Sequence, residues 1–160
     1  MNFKVFIRNI LMVMVATLIL SACATKTATL PSQIQGDVYT GTDTVEYLAK
    51  GVPDRVFFAT NESVLTTASR DTLRKQAAWM RTNDSLNFAI EGHADERGTR
   101  EYNLALGERR ANAAKDYLMT YGISGIRLSV ISYGKERPVN SGSNPLAWSQ
   151  NRRSVTVKAN

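Results

Sequence analysis

The chain has 160 residues, of which 43% are hydrophobic and 21% are charged, and this composition supports one small globular domain. Lysine and arginine outnumber aspartate and glutamate by 20 to 14, which gives a formal net charge of +6. A single cysteine excludes an internal disulfide, and a single histidine leaves a metal site short of its usual ligands.

Residues 1–22 predict an export signal. Lys4 and Arg8 form a basic start, and residues 10–20 form an apolar run that is too short to span a bilayer. Small residues then precede Cys23 in the pattern of a bacterial lipobox, so we expect the signal to be cleaved before Cys23 and this cysteine to be acylated. Acyl chains on Cys23 would anchor the protein stably in a membrane. The alternative is an ordinary secretory signal with an incidental cysteine. Because export separates the chain from nucleic acid, we expect no nucleic-acid binding despite the basic charge.

Residues 23–51 predict the acylated cysteine followed by a flexible tether. The segment is rich in Thr, Ser and Gly and has no sustained hydrophobic period. Fully extended, a tether of this length reaches at most about 100 Å. A few apolar residues are expected to dock part of it onto the domain: Tyr39, Val45, Tyr47 and Leu48.

Residues 52–160 predict an α+β domain with the element order β-α-β-α-β-β. The hydrophobic periods predict strands at 56–60, 87–92, 127–133 and 154–158, helices at 67–82 and 103–121, and a short helical turn at 145–149. Because strands and helices alternate, we expect a two-layer sandwich with the helices on one face of a small mixed β-sheet.

Segment 92–111 carries the candidate site. Asp95 follows a predicted strand, where a carboxylate faces solvent or ligand, and Asn103 is the predicted N-cap of the next helix. Leu106 and Arg110 share a helix stripe with Asn103, so Arg110 can point back over the loop that holds Asp95. An aspartate that accepts from an ammonium and an arginine that matches a carboxylate suit an amino-acid head group. A structural ion pair between the two residues is the alternative.

These residues resemble the peptidoglycan-binding signature of the OmpA-like domain family. The resemblance runs from about Val56 to the C-terminus and rests on blocks in the family's order: GHADERGT, EYN, LGERRAN, SYGKERP and NRR. In that family the corresponding aspartate and arginine hold the free end of meso-diaminopimelate in the peptidoglycan stem peptide. The resemblance therefore assigns this role to Asp95 and Arg110.

Further contacts are implied at other positions. Asn103, Leu106 and Arg97 lie in the same blocks, and Phe58 and Asn61 lie in the first-strand segment that the family also shares. One departure from the family concerns the first strand, where acidic residues usually follow the aromatic pair and this chain has Ala59 and Asn61. An amide accepts from an ammonium but adds no charge, so we predict weaker ammonium recognition than the family norm.

The resemblance implies an outer-membrane lipoprotein that binds peptidoglycan non-covalently, ties the membrane to the wall, and partners the Tol system, chiefly TolB. Ala24, in place of an aspartate after Cys23, resembles the sorting signal of outer-membrane lipoproteins. An OmpA-like lipoprotein that acts outside the Tol system is the first alternative.

A peptidoglycan hydrolase is the second alternative. Asp95 and Glu96 offer an acid and a base, but neighbouring side chains on an extended segment diverge, so we expect no catalysis. His93 is predicted to be a hydrogen-bonded structural residue rather than a metal ligand. We therefore expect neither a metal nor a cofactor.

Overall fold

The computed structural model describes residues 34–159, so the predicted signal peptide, Cys23 and the first part of the tether lie outside the described residues. The elements follow one another as β1 (Ile34–Gln35), β2 (Val38–Tyr39), β3 (Tyr47–Ala49), β4 (Val52–Pro53), β5 (Arg55–Phe57), α1 (Thr67–Arg81), β6 (Asn87–His93), α2 (Arg100–Thr120), a 3-10 helix (Gly125–Arg127), β7 (Leu128–Gly134), α3 (Pro145–Asn151) and β8 (Arg153–Ala159). Among residues 34–159, no helix has the length and apolar character needed to cross a bilayer.

Strands β5, β8, β6 and β7 form a four-stranded sheet in that order. Strand β8 is antiparallel to both of its neighbours, and β6 is parallel to β7. Phe88 and Ile90 alternate along β6 toward the buried face, as the period-2 pattern predicts. The mixed sheet with helices packed against it confirms the predicted α+β class.

Helices α1 and α2 bury one apolar face each against this sheet. Leu73, Ala77 and Met80 lie on the inner face of α1, and Ala111 and Leu118 lie on that of α2. Burying each of the larger side chains contributes about 1.5–3 kcal/mol relative to exposure. The core therefore holds both helices in place above the strands.

Two glycines let α2 approach β6 closely enough to position the candidate site. A Cβ atom on Gly92 would overlap the carbonyl oxygen of Gly107, and one on Gly107 would overlap the hydroxyl of Ser132. The backbones of α2 and β6 consequently touch where β6 ends. Residues of α2 thus lie directly beside the loop that follows β6.

The N-terminus of α2 differs from the prediction. The helix begins at Arg100, and its N-cap is Thr99, whose hydroxyl accepts a hydrogen bond from the Tyr102 amide. Asn103 is therefore not the cap. Its side-chain amide donates instead to the carbonyl of Arg97 at 2.8 Å and so holds the preceding loop.

The described part of the predicted tether, residues 34–51, contains β1, β2 and β3 and packs on the domain. Tyr39 is 2% exposed, and its ring meets Phe57 edge-on with centroids 4.8 Å apart. Asp37 accepts from the amide of Thr60 at 2.6 Å. Tyr47, in contrast, is 57% exposed. The domain boundary at residue 52 stays a prediction, although ordered contacts begin well before it.

Candidate ligand-binding site

Asp95 lies just after β6, and its carboxylate is held by two arginines. Its Oδ1 accepts from the Arg97 amide and from Arg97 Nε, both at 3.1 Å. Its Oδ2 accepts from Arg97 Nη2 at 2.7 Å and from Arg152 Nη1 at 3.4 Å. Asp95 is therefore an ion-paired carboxylate at the surface end of a buried polar cluster.

Two opposing effects set the charge state of Asp95. Burial acts to raise its pKa, whereas the hydrogen bonds from Arg97, the charge of Arg97 and the hydrogen bond from Arg152 act to lower it. The favourable contacts win, and the pKa of Asp95 lies below its ordinary value. The side chain is therefore ionised at neutral pH.

Arg110 is fully buried and binds the backbone. Its Nε donates to the carbonyl of Glu62 at 2.8 Å, its Nη1 to that of His93 at 2.9 Å, and its Nη2 to that of Ala59 at 2.9 Å. It therefore joins the end of β6 to the segment that follows β5. The helix stripe predicts that Arg110 lies over the loop that holds Asp95, and its guanidinium reaches the end of β6, two residues before Asp95.

Asp95 and Arg110 form no direct ion pair in the described part of the chain. Burial and repulsion from Arg152 lower the pKa of Arg110 to about 10, so it is cationic at neutral pH. A guanidinium has five N–H groups, and the three bonds to carbonyls leave one on each terminal nitrogen. The alternative of a structural Asp95–Arg110 pair is not what the structure contains, because Arg97 and Arg152 fill that role.

A cleft of about 330 Å³ opens on this cluster. It is lined by Thr60, Asn61, Asp95, Arg97, Gly98 and Tyr102. Asn61 has a left-handed backbone with φ of 58°, which asparagine tolerates better than most residues. Asp95, Arg97 and Asn61 are thus the predicted site residues that meet in one open cleft.

The other predicted site residues lie behind the cleft. Phe58 is fully buried, and its ring centre lies 5.4 Å from the guanidinium carbon of Arg110. Leu106 is 3% exposed and Asn103 is 2% exposed. In this structure they pack and position the site without facing the solvent.

Sequence reasoning missed two members of the cluster, Arg152 and Asp37. Arg152 is 2% exposed and donates to the carbonyl of Phe58 at 3.1 Å as well as to Asp95. Asp37 Oδ1 accepts from Arg152 Nη2 at 2.8 Å. Arg152 belongs to the NRR block used for the family resemblance, and that block was the available signal; nothing in the sequence around Asp37 pointed to the site.

His93 departs from its predicted hydrogen-bonded role. It is 1% exposed, and neither ring nitrogen has a hydrogen-bond partner, since Nε2 lies 3.5 Å from a Glu91 oxygen without suitable geometry. Burial first, and then the charges of nearby arginines, lower the pKa of His93 to about 3. Within residues 34–159, no three histidine, cysteine or acidic side chains group together as metal ligands do.

A larger groove, of about 530 Å³, lies between the N-terminal segment and the start of α1. Arg55 is the only charged residue that lines it. The smaller cleft combines a carboxylate, an arginine and an amide, and so it offers the polar groups that orient a charged ligand. We therefore take the smaller cleft as the candidate site.

The pattern that characterises the OmpA family matches residues 57–152 of the chain. The peptidoglycan-associated lipoprotein of Rhizobium meliloti is 46% identical over 155 residues, which cover 94% of this chain and 88% of the relative. The protein of the same name from Brucella melitensis is 52% identical over 106 residues, covering 66% of this chain and 63% of the relative.

Solved structures agree with this similarity. The crystal structure of the peptidoglycan-associated lipoprotein from Burkholderia pseudomallei superposes with a TM-score of 0.64 at 34% identity, covering 66% of this chain and 90% of that one. The C-terminal domain of Helicobacter pylori MotB has a TM-score of 0.62 at 17% identity, over 67% of this chain and 84% of that one, and shares the fold. The predicted family and fold are confirmed: the chain belongs to the OmpA family, among its peptidoglycan-associated lipoproteins.

Proposed function

We propose that this protein binds peptidoglycan non-covalently, through the free amino-acid end of a diaminopimelate stem peptide, and so holds the outer membrane to the cell wall. The observation that carries the proposal is an ionised, mostly buried carboxylate, Asp95, which lines an open cleft. The relatives' shared name, peptidoglycan-associated lipoprotein, supports the same ligand. As a member of this family, the chain is a binding protein and not an enzyme.

The two charges of the ligand's head group match two groups at the site. The ammonium binds Asp95, and the carboxylate binds the two N–H groups of Arg110 that the backbone does not use. Because Arg110 is fully buried, the carboxylate reaches it only when the segment 59–62 shifts from its position over the guanidinium. Asn61 and Tyr102 border the cleft and offer an amide and a hydroxyl to the rest of the peptide.

The proposed anchor is the lipid on Cys23, which holds the chain in the outer membrane with its domain in the periplasm. Each contact with the wall need not be strong, because many copies in one membrane bind one continuous polymer. Their combined avidity exceeds the affinity of a single site.

We propose the Tol system, chiefly TolB, as the protein partner, with a binding surface that overlaps the peptidoglycan cleft. Family membership supports this proposal, and an OmpA-like lipoprotein outside the Tol system is its alternative. Capture of TolB by the full-length chain, lost when muropeptides are added, would support the overlap. Capture that muropeptides leave unchanged would contradict it.

Sedimentation with purified diaminopimelate-type peptidoglycan tests the main proposal. The full-length chain, purified in detergent, is expected to pellet with the polymer, and Asp95→Asn is expected to stay mostly in the supernatant because the ammonium loses its counter-charge. Asp84→Asn is the matched control, since Asp84 is an exposed acid outside the cleft. Free meso-diaminopimelate should compete with the polymer, and cadaverine, which has ammonium groups but no carboxylate, should compete less.

Three outcomes would contradict the proposal. They are a wild-type chain that does not pellet, an Asp95→Asn variant that pellets as well as the control, and soluble muropeptides released into the supernatant. The last would move the protein to the hydrolase alternative. Arg110→Ala is a poor first variant, since it removes a buried guanidinium and its hydrogen bonds to three carbonyls, and its effect on binding would be confused with unfolding.

A further inference from the structure

Asp95 has no acceptor position left for a ligand. An ionised carboxylate offers about four lone-pair sites, two on each oxygen. In the structure Oδ1 accepts twice from Arg97, and Oδ2 accepts once from Arg97 and once from Arg152. A ligand ammonium can therefore bind Asp95 only by replacing one of these donors.

Arg152 is not the donor that leaves. Its side chain is 2% exposed, and it also donates to the carbonyl of Phe58 and to both the carbonyl and the carboxylate of Asp37. Displacing it would break several charge-assisted hydrogen bonds of an almost fully buried guanidinium at once. The amide of Arg97 is likewise fixed by the backbone of the loop.

The side chain of Arg97 is the donor that can leave. It is 42% exposed and lines the open cleft. Apart from its bonds to Asp95, the side chain donates from Nη2 to the hydroxyl of Thr60 at 3.2 Å. Because the guanidinium of Arg97 is partly solvated, water can take over its hydrogen bonds when another cation replaces it on Asp95.

The Arg97 side chain has a second favourable contact that it can keep after it leaves Asp95. The guanidinium of Arg97 lies 4.3 Å from the centre of the Trp148 ring, which stabilises a cation. The indole is itself fixed, because Trp148 Nε1 donates to Glu96 Oε1 at 2.8 Å. Arg97 can leave Asp95 and remain stacked on this ring.

We propose that Arg97 occupies the ammonium position on Asp95 in the unliganded protein, and that a stem peptide binds by exchanging its ammonium for the Arg97 side chain. This inference rests on the proposed function and concerns how the same site is regulated. Arg97 is then an internal competitor of the ligand. It keeps Asp95 paired in the absence of ligand and lowers the affinity of each wall contact.

Calorimetry with a diaminopimelate-containing muropeptide tests the exchange on the full-length chain. Arg97→Gln removes the competing cation and keeps the backbone amide that donates to Oδ1, so we expect Kd to fall by about fivefold, the order of magnitude of one ion pair. Arg100→Gln is the matched control, because Arg100 is an exposed arginine paired with Glu136 at 3.3 Å outside the cleft, and it should leave Kd unchanged.

The outcomes separate the exchange from the proposed function. If Arg97→Gln binds more weakly than wild type, or equally, the ligand uses Arg97 as a contact or ignores it, and the exchange is overturned while the function stands. If neither protein binds, the proposed function fails and the exchange fails with it. A second readout is the Arg97 Nε–H resonance, which should lose its hydrogen-bonded shift when muropeptide saturates wild type; a resonance that does not move overturns the exchange.

Discussion

Arginine has opposite roles in two parts of the site: the buried layer beneath the cleft, which we call the floor, and the open side of the cleft, which we call the mouth. At the floor, Arg110 and Arg152 are almost fully buried, and each donates to backbone carbonyls from distant parts of the chain. At the mouth, Arg97 is 42% exposed and binds two side chains, Asp95 and Thr60. The same residue type thus cross-links distant parts of the backbone where it is buried, and makes an exchangeable side-chain contact where it is exposed.

The largest effect is expected from breaking the floor. Arg110→Ala removes three charged hydrogen bonds to carbonyls and leaves a cavity, so the free energy of unfolding should fall by about 3–5 kcal/mol. Urea denaturation measures this change. The neighbouring Arg109→Ala, at an exposed position, should change stability by less than about 0.5 kcal/mol, and equal losses in both variants would contradict the framework role.

The floor should also be sensitive to acid through His93, whose carbonyl accepts from Arg110. The pKa of His93 is about 3 in the folded protein, against 6.5 unfolded, so the unfolded chain binds the extra proton between these values and stability falls as pH falls. From pH 6 to pH 4 the loss should be about 2.5 kcal/mol.

His93→Phe keeps an aromatic ring and removes the titrating group, so its stability should vary less over the same interval. Urea unfolding of both proteins at pH 4, 5 and 6 measures the two slopes. The depressed pKa values of Asp95 and Asp37 add a separate loss below their unfolded values, near pH 4, which both proteins share. Parallel slopes would show that His93 is accessible to protons in the folded state.

A smaller effect is expected where the N-terminal segment meets the floor. Asp37→Asn weakens the contacts with Arg152 and the Thr60 amide, so stability should fall by about 1 kcal/mol and the Thr60 amide should exchange its hydrogen faster. Asp71→Asn is the control, because Asp71 is an exposed acid that pairs with Arg74 on α1. Unchanged exchange at Thr60 would mean that Asp37 does not protect that amide in solution.

The smallest effect tests the mouth. Asn61→Asp adds a carboxylate to the cleft at a left-handed position that aspartate also tolerates, so ammonium recognition should strengthen and Kd for the muropeptide should fall by about two- to fivefold. Calorimetry compares the Kd of this variant with that of wild type. An Asn61→Asp variant that binds no tighter would contradict the view that the missing acid limits affinity.

Local sequence patterns predicted the main helices and strands well, because each element has its own hydrophobic period and recognisable residues at its ends. Helix α1 begins at Thr67 as predicted, and the other predicted elements shift by three residues or fewer, whereas β1 to β4 and the 3-10 helix were not predicted. The start of α2 was predicted wrongly because Thr99 and Asn103 are both residue types that cap helices. Which of the two caps α2 depends on the hydrogen bond from Asn103 to the carbonyl of Arg97, which the sequence does not show.

The site was only partly predictable for a different reason. Asp95 follows a strand within a recognisable motif, so local sequence identified it, and the same motif contained Arg97. Arg152 lies 57 residues from Asp95, and Asp37 lies 115 residues from Arg152, so these contacts exist only after the sheet has formed. Burial of Arg110 likewise depends on carbonyls at the end of β6 and in the segment after β5, which the helix pattern does not reveal.

The docking of Asp37 has a mechanical consequence. If Cys23 carries the lipid, the chain between the membrane and the Asp37 contact is 14 residues long and extends to at most about 50 Å, roughly half the reach of a tether that is free to residue 51. A pull on the membrane is then applied at Thr60 and Arg152, beside the cleft, rather than at the far end of the domain. Tension in the envelope would therefore act directly on the residues next to the proposed wall-binding cleft.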